Sequence, residues 1–277
     1  MNKNNKPEIR EYIRELREKG YAQDSLVSYK TALNKLNLPL TETSIKEFHK
    51  KILHLKTNTK TTYLMRLRTY LKKTKPELAK EIIMPKQEKS IPKNIPDKKE
   101  AREILQSPDT TRFTGIRDKA ILELFYATGI RKNELIELKA EDIDYVKCII
   151  KVRKGKMNKE RLVPVSAKAL KWVKYYLDRV RPVLKPKSEQ LFLNRFGTKL
   201  AKNSPYKIVK KYAEYGCHKY RHAYATHLLQ NGMKETSLQR LLGHSMISTT
   251  QIYTKVTIEE LKASYAKHFK RDKWVWK

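Results

Sequence analysis

Residues 84–97 read MPKQEKSIPKNIPD, with Pro85, Pro92 and Pro96 and scarcely an apolar residue at regular spacing. Proline lacks a backbone donor and forbids a continuing helix, so this stretch predicts an extended linker. A linker over residues 85–97 leaves an N-terminal domain, 1–84, and a longer C-terminal domain, 98–277.

Upstream of the linker, apolar residues recur at helical spacing in four short runs. Ile9, Tyr12, Ile13 and Leu16 follow Pro7, a good first-turn residue, and Gly20 supplies the stop. Leu26, Tyr29, Leu33 and Leu36 form the second stripe, with Asp24 as its expected cap. Ser44 and Glu47 read as a capping box before Ile45, Phe48, Ile52 and Leu55, and Tyr63, Leu64, Leu67, Tyr70 and Leu71 complete the set.

Downstream, Asp97 and Glu100 cap a short predicted helix, and Ile116, Ala120, Ile121, Leu124 and Phe125 mark a longer one that ends at Gly129. CIIKVR, 148–153, and RLVPV, 161–165, flank the charged turn KGKMNKE, a pattern that predicts an antiparallel hairpin. Helices resume over 167–181 and from Asn203 onward, with a short strand expected at LFLN, 191–194. The fold class is therefore mainly α with a small antiparallel β-sheet in the C-terminal domain.

Composition narrows the function. The chain has 62 Lys plus Arg against 29 Asp plus Glu, a formal charge of +33 spread along its whole length. A polyanion is the natural partner, and nucleic acid fits best because each neutralised phosphate releases condensed counterions. Cys148 and Cys217 are the two cysteines and neither belongs to a CxxC pair, which excludes a disulfide framework and a thiolate zinc knuckle. Neither an apolar leader nor a run approaching a membrane span is present, so a cytoplasmic protein with no membrane association is expected.

Three separated segments carry the chemistry: TGIRKNEL at 128–135, KGKMNKERLVP at 154–164, and CHKYRHAYATHLL through LGHSMISTTQIYTK at 217–255. Breaking a phosphodiester without a metal requires cations around a pentavalent phosphorus, an activated nucleophile and a proton donor for the leaving oxygen. Arginine suits the first task, since its planar fork holds two phosphate oxygens and keeps its proton. Arg131 and Arg221 are the candidates. Arg131 falls where one helix stops and the next begins, so free N–H groups there add to the attraction for phosphate. His218 and Arg221 lie three apart on one helical face, with Tyr224, Ala225, Leu228 and Leu229 on a more apolar one. Taken alone, Arg131 could be an ordinary surface arginine, and HxxR a solvated face.

The order and content of these segments closely resemble the tyrosine recombinase family, its Xer-type branch most of all, over roughly two-thirds of the chain. Arg131 followed three residues later by Glu134 fits that pattern. The resemblance implies a four-helix, SAM-like core-binding domain ahead of a catalytic domain, the two clamping a duplex. It implies a site of Arg131, Lys156, His218, Arg221, His244 and Tyr253, with Tyr253 as the nucleophile that forms a 3′-phosphotyrosyl link. Lys156 becomes the general acid; the turn also holds Lys154 and Lys159, but counting back without gaps from KERLVP favours Lys156. Met157 stands where many family members have glycine. His222 and His227 are assigned to packing or DNA contact.

The resemblance further implies double-stranded recombination sites as substrate, no cofactor or metal, and a synaptic tetramer that passes through a Holliday junction. In that assembly Leu261, Tyr265 and Phe269, on the helix expected over 257–270, dock on a neighbouring subunit; the same stripe packing at home is the alternative. Three other readings stay open. A type IB topoisomerase shares the nucleophile and the cationic pocket, and a catalytically silent DNA-binding protein shares the basic clamp. A zinc site on His218 and His222 lacks both the HExxH glutamate and an evident third ligand.

Overall fold

The computed structural model describes residues 6–85, 95–153, 160–243 and 258–269. By its internal contacts the chain divides into two compact units, residues 1–91 and 92–277. Among the described residues it is mainly helical, with one three-stranded antiparallel sheet.

The first unit contains α1 (Pro7–Glu18), α2 (Gln23–Leu33), α3 (Glu42–Ile52), α4 (Thr57–Thr74) and the short α5 (Pro76–Lys80). Its core gathers the stripes read from sequence: Leu33, Leu36, Phe48, Leu67 and Leu71 are fully enclosed. The Tyr12 ring meets Tyr70 edge to face at 5.0 Å between centroids and Tyr29 at 6.0 Å, which fills the space between three helices with rigid rings. Two capping expectations are corrected. Thr41, not Ser44, caps α3: its hydroxyl accepts from Ser44 N at 3.2 Å while Ser44 Oγ accepts from Thr41 N at 3.1 Å, and Glu47 bonds Asn37 instead. Asp24 lies inside the first turn of α2, whose cap is Ala22. Helix α5 was not expected; Pro76 starts it one residue beyond the end of α4 at Thr74 and Lys75.

The second unit contains α6 (Lys98–Gln106), α7 (Phe113–Thr128), α8 (Lys132–Glu137), β1 (Ile143–Asp144), β2 (Ile149–Val152), β3 (Arg161–Pro164), α9 (Ala167–Arg179), α10 (Ser204–Tyr212), α11 (Cys217–Gln230), α12 (Glu235–Leu242) and α13 (Ile258–His268). Asp97 caps α6 by accepting from Glu100 N at 2.8 Å, as its sequence predicts. Helix α7 is the axis of this unit, enclosed on every side from Asp118 to Thr128. Charged residues inside it are paired, Lys119 with Glu123 at 3.4 Å and Asp118 with Arg117 at 2.8 Å, because an unpaired buried charge is costly.

The sheet runs β1-β2-β3, with Ile150 opposite Val163 and Val152 opposite Arg161. Alternation along β3 turns Leu162 outward, 43% exposed, and leaves Val163 and Arg161 on the inner face. Strand β1 was not anticipated; its two residues are too few for a period-two pattern. LFLN forms no strand: Leu193 makes an isolated bridge to Lys199, and Leu191 N donates to Leu138 O.

Helix α13 packs on its own unit in the single chain. Tyr265 donates to Ala127 O at 2.9 Å, Phe269 stacks on Tyr265 at 4.8 Å, and Asn231 Nδ2 donates to His268 O at 2.6 Å.

Candidate active site

The turn Thr128–Arg131 sets the first arginine. Gly129 takes the left-handed conformation, φ +59°, that ends α7, and its N–H returns to Phe125 O. Thr128 Oγ1 accepts from Ile130 N at 3.2 Å, Ile130 is buried, and Arg131 emerges as the cap of α8. One of the N–H groups at this helix start is already taken. Arg131 N donates to Glu134 Oε2 at 2.9 Å, so the carboxylate, not a ligand, satisfies it.

The second arginine comes from α11, where His218 is exposed and Arg221, one turn on, is only 8% exposed. Burial and the neighbouring Arg131 and Arg161 charges push the Arg221 guanidinium down to about 10, so it still carries its charge at neutral pH. Tyr224 and Leu228 are enclosed as expected, whereas Leu229 is 44% exposed and does not belong to the apolar face. His227 is buried, with Nδ1 at 2.9 Å from Tyr126 Oη, which gives it a packing role; His222 is exposed.

Helix α12 joins the two. A helix leaves its last carbonyls without internal partners and carries partial negative charge at that end. Gly243, at φ +62°, closes α12, and its N–H returns to Gln239 O and Arg240 O. The next three carbonyls each accept from a different arginine: Leu241 O from Arg161 Nε at 3.4 Å, Leu242 O from Arg221 Nη2, and Gly243 O from Arg131 Nη2 at 3.1 Å. Arg221 Nη1 also donates to Gly129 O at 2.7 Å.

Glu134 completes the cluster. Its side chain is 3% exposed, and it binds both Arg131 and Arg161, each in two places. Burial opposes its ionisation, but the hydrogen bonds and charge of Arg161, and then those of Arg131, hold its carboxyl below the usual range. His218 faces the same cluster. Although the side chain is exposed, desolvation beside the cluster first, then the charges of His222, Arg221, Arg131 and Lys132, lower its imidazole below the ordinary histidine value.

Of the six residues read from sequence, the structure brings Arg131, Arg221 and His218 together. Lys156, His244 and Tyr253 lie outside the described residues. Gly243 immediately precedes His244 in the sequence, and Arg161 lies five residues after Lys156. Arg161 was not singled out in the sequence; its signal is an arginine on the inward side of a strand that is otherwise apolar on that side. Among the described residues no group of three or more His, Cys, Asp or Glu could hold a metal ion, and no helix is long and apolar enough to cross a membrane.

Residues 95–260 match the phage integrase family. The chain belongs to that family. Curated relatives include tyrosine recombinase XerD of Staphylococcus epidermidis, 38% identical over 196 residues that cover 68% of this chain and 66% of that protein. Tyrosine recombinase XerD of Listeria innocua is 42% identical over 197 residues, 67% of this chain and 65% of that one. These alignments span just under two-thirds of each relative's length. Among solved structures, XerH site-specific recombinase bound to its difH substrate, in a pre-cleavage complex, covers 97% of this chain and 84% of that one, with a TM-score of 0.65 at 22% identity. A lambda integrase tetramer bound to a Holliday junction covers 90% of this chain and 80% of that one, with a TM-score of 0.66 at 18% identity. At such identities the likeness is one of fold. It agrees with the mainly helical architecture and small sheet of this phage integrase family member.

Proposed function

We propose that this chain is a site-specific DNA recombinase that breaks and rejoins strands through Tyr253. The reading rests on the convergence of Arg131 and Arg221 at the C-terminal end of α12, which precedes His244 and Tyr253 in the sequence, with His218 near enough for the charges of both arginines to act on its imidazole. Two guanidinium groups and an imidazole in one basin form a phosphate site that stabilises the extra negative charge of a pentavalent phosphorus. Backbone carbonyls fix both arginines beforehand, so little reorganisation accompanies the reaction.

In this reading the Tyr253 hydroxyl gives its proton to solvent and attacks the scissile phosphorus. The bond to the 5′ oxygen breaks, Lys156 protonates that oxygen, and a 3′-phosphotyrosyl link remains. A phenol is mostly protonated at neutral pH, and the surrounding cations favour its anion. His244 is the sixth group at the phosphate. Attack by the 5′ hydroxyl of a partner strand reverses the step. The phosphotyrosine keeps the bond energy, so the exchange uses neither ATP nor a cofactor.

Residues 1–84 form the core-binding domain, 85–97 the linker and 98–277 the catalytic domain, and the +33 charge supplies a sequence-independent grip on the duplex. The assembly is a tetramer on two recombination sites, working in the cytoplasm. The Xer names of the relatives and the Holliday-junction complex of lambda integrase support strand exchange over simple relaxation. The test is incubation in chelator with a supercoiled plasmid that carries two candidate sites. Recombinant circles are expected; relaxed topoisomers without exchange would favour a topoisomerase, and binding alone a silent clamp.

A further inference from the structure

We infer that Arg161 is a positioning residue of this site, which neutralises Glu134 so that Arg131 keeps its full charge for phosphate. The inference rests on the strand-cleavage reading. An ionised carboxylate offers about four acceptor positions, and Glu134 uses each of its oxygens twice. Oε1 accepts from Arg131 Nη1 at 2.9 Å and Arg161 Nη1 at 2.8 Å; Oε2 accepts from Arg161 Nη2 at 2.8 Å and Arg131 N at 2.9 Å. Arg161 therefore holds the carboxylate fork to fork, while Arg131 gives it one side-chain N–H and one backbone N–H.

Charge decides what this arrangement does. A lone Arg131–Glu134 pair has no net charge and would attract a phosphate weakly. A second guanidinium on the same buried carboxylate leaves the trio with one positive charge, to which Arg221 adds another. Arg161 itself is spent, with its side chain 12% exposed and its Nε on Leu241 O, whereas Arg131 is 24% exposed. Gly243 fits the same assignment: a Cβ there would come within 2.9 Å of Arg161 Cδ and 3.1 Å of its Nε. The side chain of β3 thus crosses the end of α12 through a gap that glycine leaves.

The test compares Arg161→Met, Arg161→Lys, Glu134→Gln and the Arg161→Met/Glu134→Gln double variant with wild type. Single-turnover formation of the covalent DNA complex is read on a nicked duplex at saturating protein, with thermal melting as the check of folding. Misplacement of a positioning group by about 1 Å costs on the order of 100-fold in rate, and a loss of that order is expected for Arg161→Met. Arg161→Lys keeps the charge without the fork and should fall between. Removing the carboxylate charge as well should recover about tenfold, equivalent to one factor of ten in the barrier. A purely structural Arg161 would give no such recovery.

A folded Arg161→Met protein that cleaves at the wild-type rate, or a double variant no faster than Arg161→Met, would overturn the assignment. Titration with inorganic phosphate, followed through the arginine Nε–H resonances, separates this from the parent reading. Absence of a covalent complex in wild type, together with weaker phosphate binding in Arg161→Met, would reject cleavage and keep the role of Arg161. Unchanged phosphate binding would reject that role.

Discussion

Gly129 and Tyr224 stand in such close contact that a Cβ on the glycine would come within 2.6 Å of Tyr224 Cδ1, and within 3.1 Å of Leu242 Cδ2. The left-handed turn that ends α7 is thus also the floor on which α11 and α12 meet, and the Gly129 carbonyl holds Arg221. Gly129→Ala combines a strained φ with overpacking and should destabilise the chain by about 2 kcal/mol. Gly20 has φ +77° but nothing within 4 Å of a Cβ, so Gly20→Ala should cost about 1 kcal/mol. Denaturant melts of the two variants, read separately for each unit, check the difference.

Glu134 predicts an acid-side loss of stability. Its folded carboxyl lies below the ordinary value of 4.5, so the stability it confers is present above pH 4.5 and disappears as pH falls through the lower folded value. Glu134→Ala removes one partner of a buried ion cluster and should cost about 3 kcal/mol at neutral pH. Glu134→Gln keeps the shape, and the difference in melting temperature between it and wild type should shrink as the pH is lowered below 4.5. A constant difference would detach Glu134 from the arginines.

His218 predicts the opposite arrangement of charge and the same direction with pH. Its folded imidazole lies below the ordinary 6.5, so around and below that pH the unfolded chain binds a proton that the folded chain resists. Wild type should therefore lose stability relative to His218→Gln as pH falls through 6.5, and match its neutral-pH offset above it. Melting curves from pH 8 to pH 5 test this.

The stripes of α1 to α4, the end of α7 at Gly129 and the pairing of β2 with β3 were legible because each depends on local period and turn chemistry. The α3 cap differs from the expected one because Thr41 and Ser44 form the same kind of box three residues upstream of the Ser44–Glu47 pair. Arg131, His218 and Arg221 were legible as a motif, but the reason they converge was not. The carbonyls of Leu241, Leu242 and Gly243 carry no signature in side-chain identity, and Arg161 joins Glu134 across 27 residues of chain. Leu229 shows the limit of periodicity: it continues the apolar series at the end of α11 and yet is exposed.

The seat of α13 gives a separate prediction. Tyr265 is 6% exposed and donates to Ala127 O, so Tyr265→Ala should destabilise the second unit by about 3 kcal/mol. Because the helix packs at home, the melting temperature of wild type should not change with protein concentration in the absence of DNA. A midpoint that rises with concentration would return the stripe to a neighbouring subunit.

Strand exchange through Tyr253 requires a covalent link between that residue and DNA. Wild type and Tyr253→Phe are incubated, without metal, with nicked duplexes carrying candidate sites, and the products are run on a denaturing gel. A protease-sensitive covalent complex formed by wild type and absent from Tyr253→Phe is the predicted result. Tight binding by both proteins with no adduct, or an adduct that survives in Tyr253→Phe, would contradict it.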